Sequence, residues 1–329
     1  MFRVSWLSVL LATAITIAIV QPARATTHHD TVPPTGTITM SDWQRFPDGC
    51  NPINPYNASD EELCASVWDN LFRLDSTLHY QADLSDGVPS THSGDVQIVD
   101  GTTIVTYTLK PQLSWSDGSP LTMDDVVFSY DLNAALGNIE GIASILSMTE
   151  TSSLTLVVTY AGLDAAYLSN GTPVIVPKTY LERKYGTSDI QTIASRFLSD
   201  RYTSPVDVVS GPYVISAWNA NQDVTLTPNT YYTALMPDPF HPRAAQIQFV
   251  SGGNGDTGLV SSSVYNHSRN VAEDFAPRDI PTLRQISGYN TIIEPTTTME
   301  HLEFNLDGAL GDQRVRHALE EAIDKVALF

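Results

Sequence analysis

Hydrophobic positions recur along this chain with two different periods, and the switches between them mark out its elements. An unbroken apolar run occupies residues 4–20. Beyond it, residues 36–40 alternate with period two and predict a first strand. Leu63, Val67, Trp68 and Leu71 recur at helical spacing and predict a helix over residues 60–72. Asp100-Gly101 is a hairpin signal, with Ile104, Tyr107 and Leu109 in the strand after it. Thr122 caps a helix whose Val126, Val127 and Tyr130 form the buried face, and Asp125 stands at the third position of a capping box. A strand is predicted over residues 153–160, an extended run over 172–176 and mixed helix over 179–198. A strand-rich region runs from Gly211-Pro212-Tyr213 through Trp218 to Leu226. Strands follow over 246–250 and 299–305, with a short helix over 281–286 between them. Asp312 then caps a last helix in which Val315, Ala318, Leu319, Ala322, Ile323 and Val326 make one apolar stripe.

The first apolar run reads as an address. Arg3 precedes it, and Pro22-Ala23-Arg24-Ala25 supplies an A-x-A cleavage site, the layout of a secretory signal peptide cut after Ala25. The run is also long enough to span a membrane marginally, but the small-residue site favours cleavage. An exported chain explains the cysteines: Cys50 and Cys64 are expected to pair in an oxidising compartment. Closing so short a loop contributes about 3 kcal/mol on the chain-entropy model. The formal net charge of −20 repels phosphate backbones and anionic lipid, which argues against nucleic acid and membrane surfaces as partners.

Candidate chemistry is sparse. No G-x-S-x-G elbow and no H-E-x-x-H helix occurs, so no catalytic residue and no cofactor is expected. Gly253-Asn254-Gly255-Asp256-Thr257-Gly258 fits G-x-G-x-x-G, with Glu273 and Asp274 downstream. It reads as a surface loop, because the Ser-rich segment after it looks ill-suited to a packed crossover helix. Cleavage would expose Thr26-Thr27-His28, whose amine, amides and imidazole can wrap Cu²⁺ or Ni²⁺. That affinity is read as incidental, and no metal site is assigned. Three sequons, at Asn57, Asn170 and Asn266, are read as accidental.

Four blocks in order resemble the extracellular solute-binding proteins of dipeptide and oligopeptide ABC importers, family 5. They are Trp68-Asp69-Asn70-Leu71-Phe72; Tyr107 through Trp115-Ser116-Asp117-Gly118 to Asp124-Asp125-Val126; Gly211-Pro212-Tyr213 through Trp218 to Pro228-Asn229 and Tyr231-Tyr232; and Phe304-Asn305 followed by Asp312, Arg314, Ala318-Leu319 and Asp324-Lys325.

The resemblance implies a two-lobed α/β fold of the periplasmic-binding-protein type II, in its three-domain peptide-binding variety. It divides the chain into a signal peptide (1–25), domain I (26–78 and 206–295), domain II (79–205) and the start of domain III (296–329), so that the second lobe is expected to be incomplete. It implies capture of short peptides outside the cytoplasmic membrane by a periplasmic or extracellular monomer, and delivery to ABC permease subunits, without enzymatic activity. Nickel or another small solute is the alternative ligand, and an exported hydrolase the alternative class. Tyr56, Asn57, Ala58, Ser59 and Asp60 resemble the segment lining the ligand cleft. Trp115, Asp117 and Gly118 are expected to be structural. With one wall of the cleft, a chain of this length is expected to bind peptide weakly or not at all.

Overall fold

The computed structural model describes residues 34–42, 46, 49–137, 142–169, 173–232, 242–251, 257–272, 279–292 and 304–324. The apolar run, Thr26-Thr27-His28, the Asn170 sequon, Gly253 to Asp256, Glu273, Asp274 and most of the strand predicted over 299–305 lie outside them. Phe304 and Asn305, the described end of that strand, have no regular secondary structure. In chain order the elements are β1 (Thr37–Asp42), α1 (Ala58–Ala65), β2 (Phe72–Leu74), β3 (Tyr80–Ala82), β4 (Val96–Val99), β5 (Thr102–Thr108), α2 (Met123–Ala135), β6 (Ile145–Ser152) and β7 (Thr155–Tyr160). There follow α3 (Lys178–Tyr185), α4 (Ile190–Phe197), β8 (Tyr213–Asn219), β9 (Asp223–Pro228), β10 (Gln246–Ser251), α5 (Thr257–Tyr265), β11 (Val271–Ala272), α6 (Ile280–Leu283) and α7 (Gln313–Ala322).

Two larger sheets organise these elements. One is antiparallel in the order β4-β5-β7-β6, and it is built where period-two patterning is strongest. Val105 and Tyr107 of β5 and Leu156, Val158 and Tyr160 of β7 point to one face and are buried. The hydroxyls of Tyr107 and Tyr160 meet at 2.8 Å, so the polar tips of two core aromatics are satisfied inside the sheet. The β4–β5 turn is Asp100-Gly101, both at positive φ, as a two-residue primed turn demands.

The other sheet runs β11-β1-β10-β9-β8 and gathers strands from both ends of the described chain. β1 lies parallel to both β10 and β11, whereas β10, β9 and β8 pair antiparallel. α5 therefore links two strands that flank β1, burying Val260 and Val264. This corrects the reading of the Ser-rich segment. Its serines satisfy themselves against the helix backbone, with Ser262 Oγ donating to the Gly258 carbonyl and Ser263 Oγ to that of Val260.

The helix predicted over 60–72 is also corrected. α1 begins two residues earlier, capped by Asn57, and ends at Ala65. Val67 and Trp68 N–H still reach back to the Cys64 carbonyl, and after them the backbone bonds go to distant segments rather than to a continuing helix. The carbonyl of Val67 accepts from Gly211 N–H, and Asp69 N–H donates to Ser210 Oγ. Asn70 N–H donates to the Asp83 carboxylate, and Phe72 enters β2. Tertiary partners outbid the helical ladder here because each buried N–H needs one acceptor and already has it.

α7 is capped as the sequence predicts, with the Asp312 carboxylate accepting from Arg314 N–H at 2.9 Å. Among the described residues it buries none of its own, and Val315 and Leu319 stay exposed on its apolar face. Amide hydrogen exchange should therefore be fast across α7 and slow across Val105, Tyr107 and Leu226 in the sheets. Protection of α7 comparable to theirs would show that its face is covered in solution.

Candidate functional site

The five residues expected to line a cleft do different jobs. Asn57 is the N-cap of α1, its Oδ1 accepting from Asp60 N–H at 2.9 Å. Ser59 and Asp60, in the first turn of that helix, are buried. Tyr56, 62% exposed, and Ala58 alone offer side chains to solvent. What holds them in place is the loop before α1. Asn51, fully buried, donates to the carbonyls of Phe197 and Asp200 and accepts from Ile53 N–H and Asn54 N–H. Cys50 exchanges two backbone bonds with Tyr202, and Cys50 and Cys64 are joined by a disulfide with their Cα atoms 5.6 Å apart. Beside this loop lies an open depression of about 590 Å³ lined by Asn54, Ser195, Leu198, Ser199 and Arg201.

The remaining motif blocks converge on one crossing of segments. Residues 207–212 are stitched on one side to the tight turn at Ser116 and on the other to the end of the α1 segment. Ser116 N–H donates to the Val209 carbonyl, Val209 N–H donates to Ser116 Oγ, and Gly211 N–H reaches the Val67 carbonyl at 2.9 Å. A side chain on Gly211 would stand 2.5 Å from the backbone carbon of Val67. Asn229, buried, donates from Nδ2 to the Gly211 carbonyl and accepts from Tyr231 N–H. Tyr231 in turn lays its ring over Gly118, where a Cβ would meet it at 2.7 Å and where φ is +82°. Trp115 packs edge-on against Trp68 and donates its Nε1–H to Asp125. Burial raises the Asp125 carboxyl, opposed by the bonds it accepts from Thr122, Trp115 and Lys178. The motif residues thus form a structural lock.

Two ionic groups inside the protein escaped sequence reasoning. At the crossing, Asp69 and Asp83 are both buried, with Arg73, Lys110 and Tyr232 around them. Near α3, the Lys184 ammonium lies 2.8 Å from Asp200 and over the rings of Tyr180, Tyr185 and Tyr202. That aromatic cage is filled by the protein's own cation and fastens α3 to the 200–207 segment. No local signal announces either group, since the partners come from separate stretches of chain. Among the described residues no cluster of three or more His, Cys, Asp or Glu could hold a metal. No described helix is long and apolar enough to cross a membrane.

An α/β chain that crosses between two sheets and returns through a locked junction is the architecture of solute-binding proteins. NikZ from Campylobacter jejuni, solved in complex with Ni(L-His), matches with a TM-score of 0.68 over 90% of this chain and 55% of its own, at 19% identity. The oligopeptide-binding protein AppA from Bacillus subtilis, in complex with a nonapeptide, matches with a TM-score of 0.58 over 77% of this chain and 47% of its own, at 17% identity. In sequence, the probable deoxycholate-binding periplasmic protein YgiS of Escherichia coli (strain K12) is 24% identical over 257 residues, 70% of this chain and 44% of its own length. Residues 72–329 match the model for bacterial extracellular solute-binding proteins, family 5 Middle, and the chain belongs to that family. It spans about half the length of the curated relatives it matches.

Proposed function

We propose that this chain is the solute-capturing component of an ABC importer, taking short peptides outside the cytoplasmic membrane and handing them to permease subunits. The family match over residues 72–329 carries this reading. The peptide part of it draws on the fold shared with AppA. Export would follow from cleavage after Ala25, and the protein would act as a monomer without catalysis. Within the proposed division at 26–78, 79–205, 206–295 and 296–329, sheet membership supports grouping the first and third segments apart from the second, although the β2–β3 pair spans residue 78. β4 to β7 make one sheet, while β1 joins strands from beyond residue 212. Tyr56 is the residue proposed to touch ligand, with Asn57, Ser59 and Asp60 holding its loop.

A second reading, capture of a nickel chelate or another small solute, draws on the NikZ likeness, which spans 90% of this chain. Calorimetric titration with di- to nonapeptides, Ni(L-His) and deoxycholate separates the two. Weak, saturable heats are expected from peptides and should weaken further in Tyr56→Ala. Saturation by Ni(L-His) or deoxycholate alone would move the assignment to the second reading, and turnover of an ester or peptide would overturn both.

A further inference from the structure

The buried acids at the crossing are the feature that neither the lock nor solute capture explains. Asp69 and Asp83 are 6% and 4% exposed. The Asn70 N–H, on the peptide bond that follows Asp69, donates to Asp83 Oδ2 at 3.2 Å, which sets the Asp83 carboxyl against the backbone of Asp69. Each acid keeps one oxygen, Asp69 Oδ2 and Asp83 Oδ1, with no hydrogen-bond partner. A buried carboxylate oxygen without a donor is costly, and a second buried carboxylate nearby adds to that cost. One proton placed between the pair removes a charge and supplies the missing donor at once.

We propose that Asp69 and Asp83 act as a proton-holding carboxyl pair, one donating O–H to the other, which tightens the crossing of residues 67–72, 83–85 and 229–232 in mildly acidic surroundings. The groups facing the pair come from each element packed on it. Arg73 extends from β2, Lys110 follows β5 and donates from Nζ to the Asp83 carbonyl, and Tyr232 follows β9 and donates to Asp69. Asp86 lies further out, beside Lys110. Burial is the main cause holding both carboxyls above their ordinary range, and for Asp69 the neighbouring Asp83 adds to it. Arg73 and Lys110 oppose the shift, and burial in turn weakens Lys110 as a cation.

A carboxyl raised on folding binds its proton more tightly in the native state than in the unfolded chain. Its contribution to stability is complete below the ordinary carboxyl value, about 4, and is lost as pH climbs through the raised native values. The urea midpoint of the 329-residue protein should therefore fall as pH rises from about 4 through the raised native values of the pair. Asp83→Asn, which supplies a permanent donor, should flatten that fall and raise the midpoint at the higher pH, while Asp125 goes on titrating as before. A midpoint lowered equally at every pH would instead show both acids ionised and paired with Arg73 and Lys110. An unchanged slope would also overturn the proposal. Should the variant fail to fold, carboxyl ¹³C NMR of the aspartate-labelled wild type decides the matter. Two resonances sharing the same two inflections are expected of a coupled pair, and independent single inflections for all aspartates would overturn it.

Discussion

Gly211→Ala is expected to destabilise the protein by about 3 kcal/mol or more, the upper range for a single overpacking change. The added methyl would lie 2.5 Å from the Val67 carbonyl carbon, 2.8 Å from its oxygen and 2.9 Å from the Trp68 nitrogen, all backbone atoms with no rotamer to escape into. Moving apart would stretch the bond from Gly211 N–H to Val67, and with it the neighbouring bonds from Asp69 to Ser210 and from Asn229 to Gly211. Gly87 makes the control, since nothing lies within 4 Å of its would-be Cβ. Gly87→Ala should shift stability by no more than about 0.5 kcal/mol. Urea denaturation of the two variants checks both, and equal midpoints would mean that the 67–69 and 210–211 segments are not in contact in solution.

Trp115→Ala is expected to cost about 3–5 kcal/mol, the range for emptying a large aromatic site in a core. Trp115 is 1% exposed, packs edge-on with Trp68 at 6.3 Å between ring centroids, and donates to Asp125 at 3.2 Å. Trp115→Phe separates packing from hydrogen bonding. It keeps the larger part of the apolar contact but removes the N–H together with part of the ring, for a loss of about 1.5–3 kcal/mol from the bond plus a smaller packing loss. Because the Nε1 bond favours the ionised acid, its loss also lets the Asp125 carboxyl rise further. The Phe variant should then lose more stability at neutral pH than in acid. Equal losses from Ala and Phe would show that the indole packs more loosely than its burial indicates.

Much of the architecture is legible in the pattern of side chains because it rests on local rules. The Asp100-Gly101 turn, the α2 capping box, the Asp312 cap and the alternation in β5 and β7 each need only a few neighbouring residues. Other elements depend on partners that a linear pattern does not display. β6 reads as polar, with Leu146 exposed, and becomes a strand because the free edge of β7 offers it a ladder. The α1 helix stops short because residues 67–71 are claimed by Ser210, Gly211 and Asp83. α5 forms on a segment of unfavourable composition because Val260 and Val264 find a core to enter.

For the site, the sequence by itself singled out the segment around Tyr56 and the blocks shared with family 5, and from these the class of protein follows. Only the tertiary structure separated their roles. Asn57, Ser59 and Asp60 cap or pack α1 while Tyr56 faces solvent. Gly118 and Gly211 are required by backbone and ring approaching from Tyr231 and Val67, far away in the chain. The shared burial of Asp69 and Asp83 and the Lys184 cage were likewise invisible beforehand, because burial and charge proximity belong to the folded arrangement of segments. A sequence displays which residues can be polar, capped or periodic. Which of them lose water together is decided only when the segments meet.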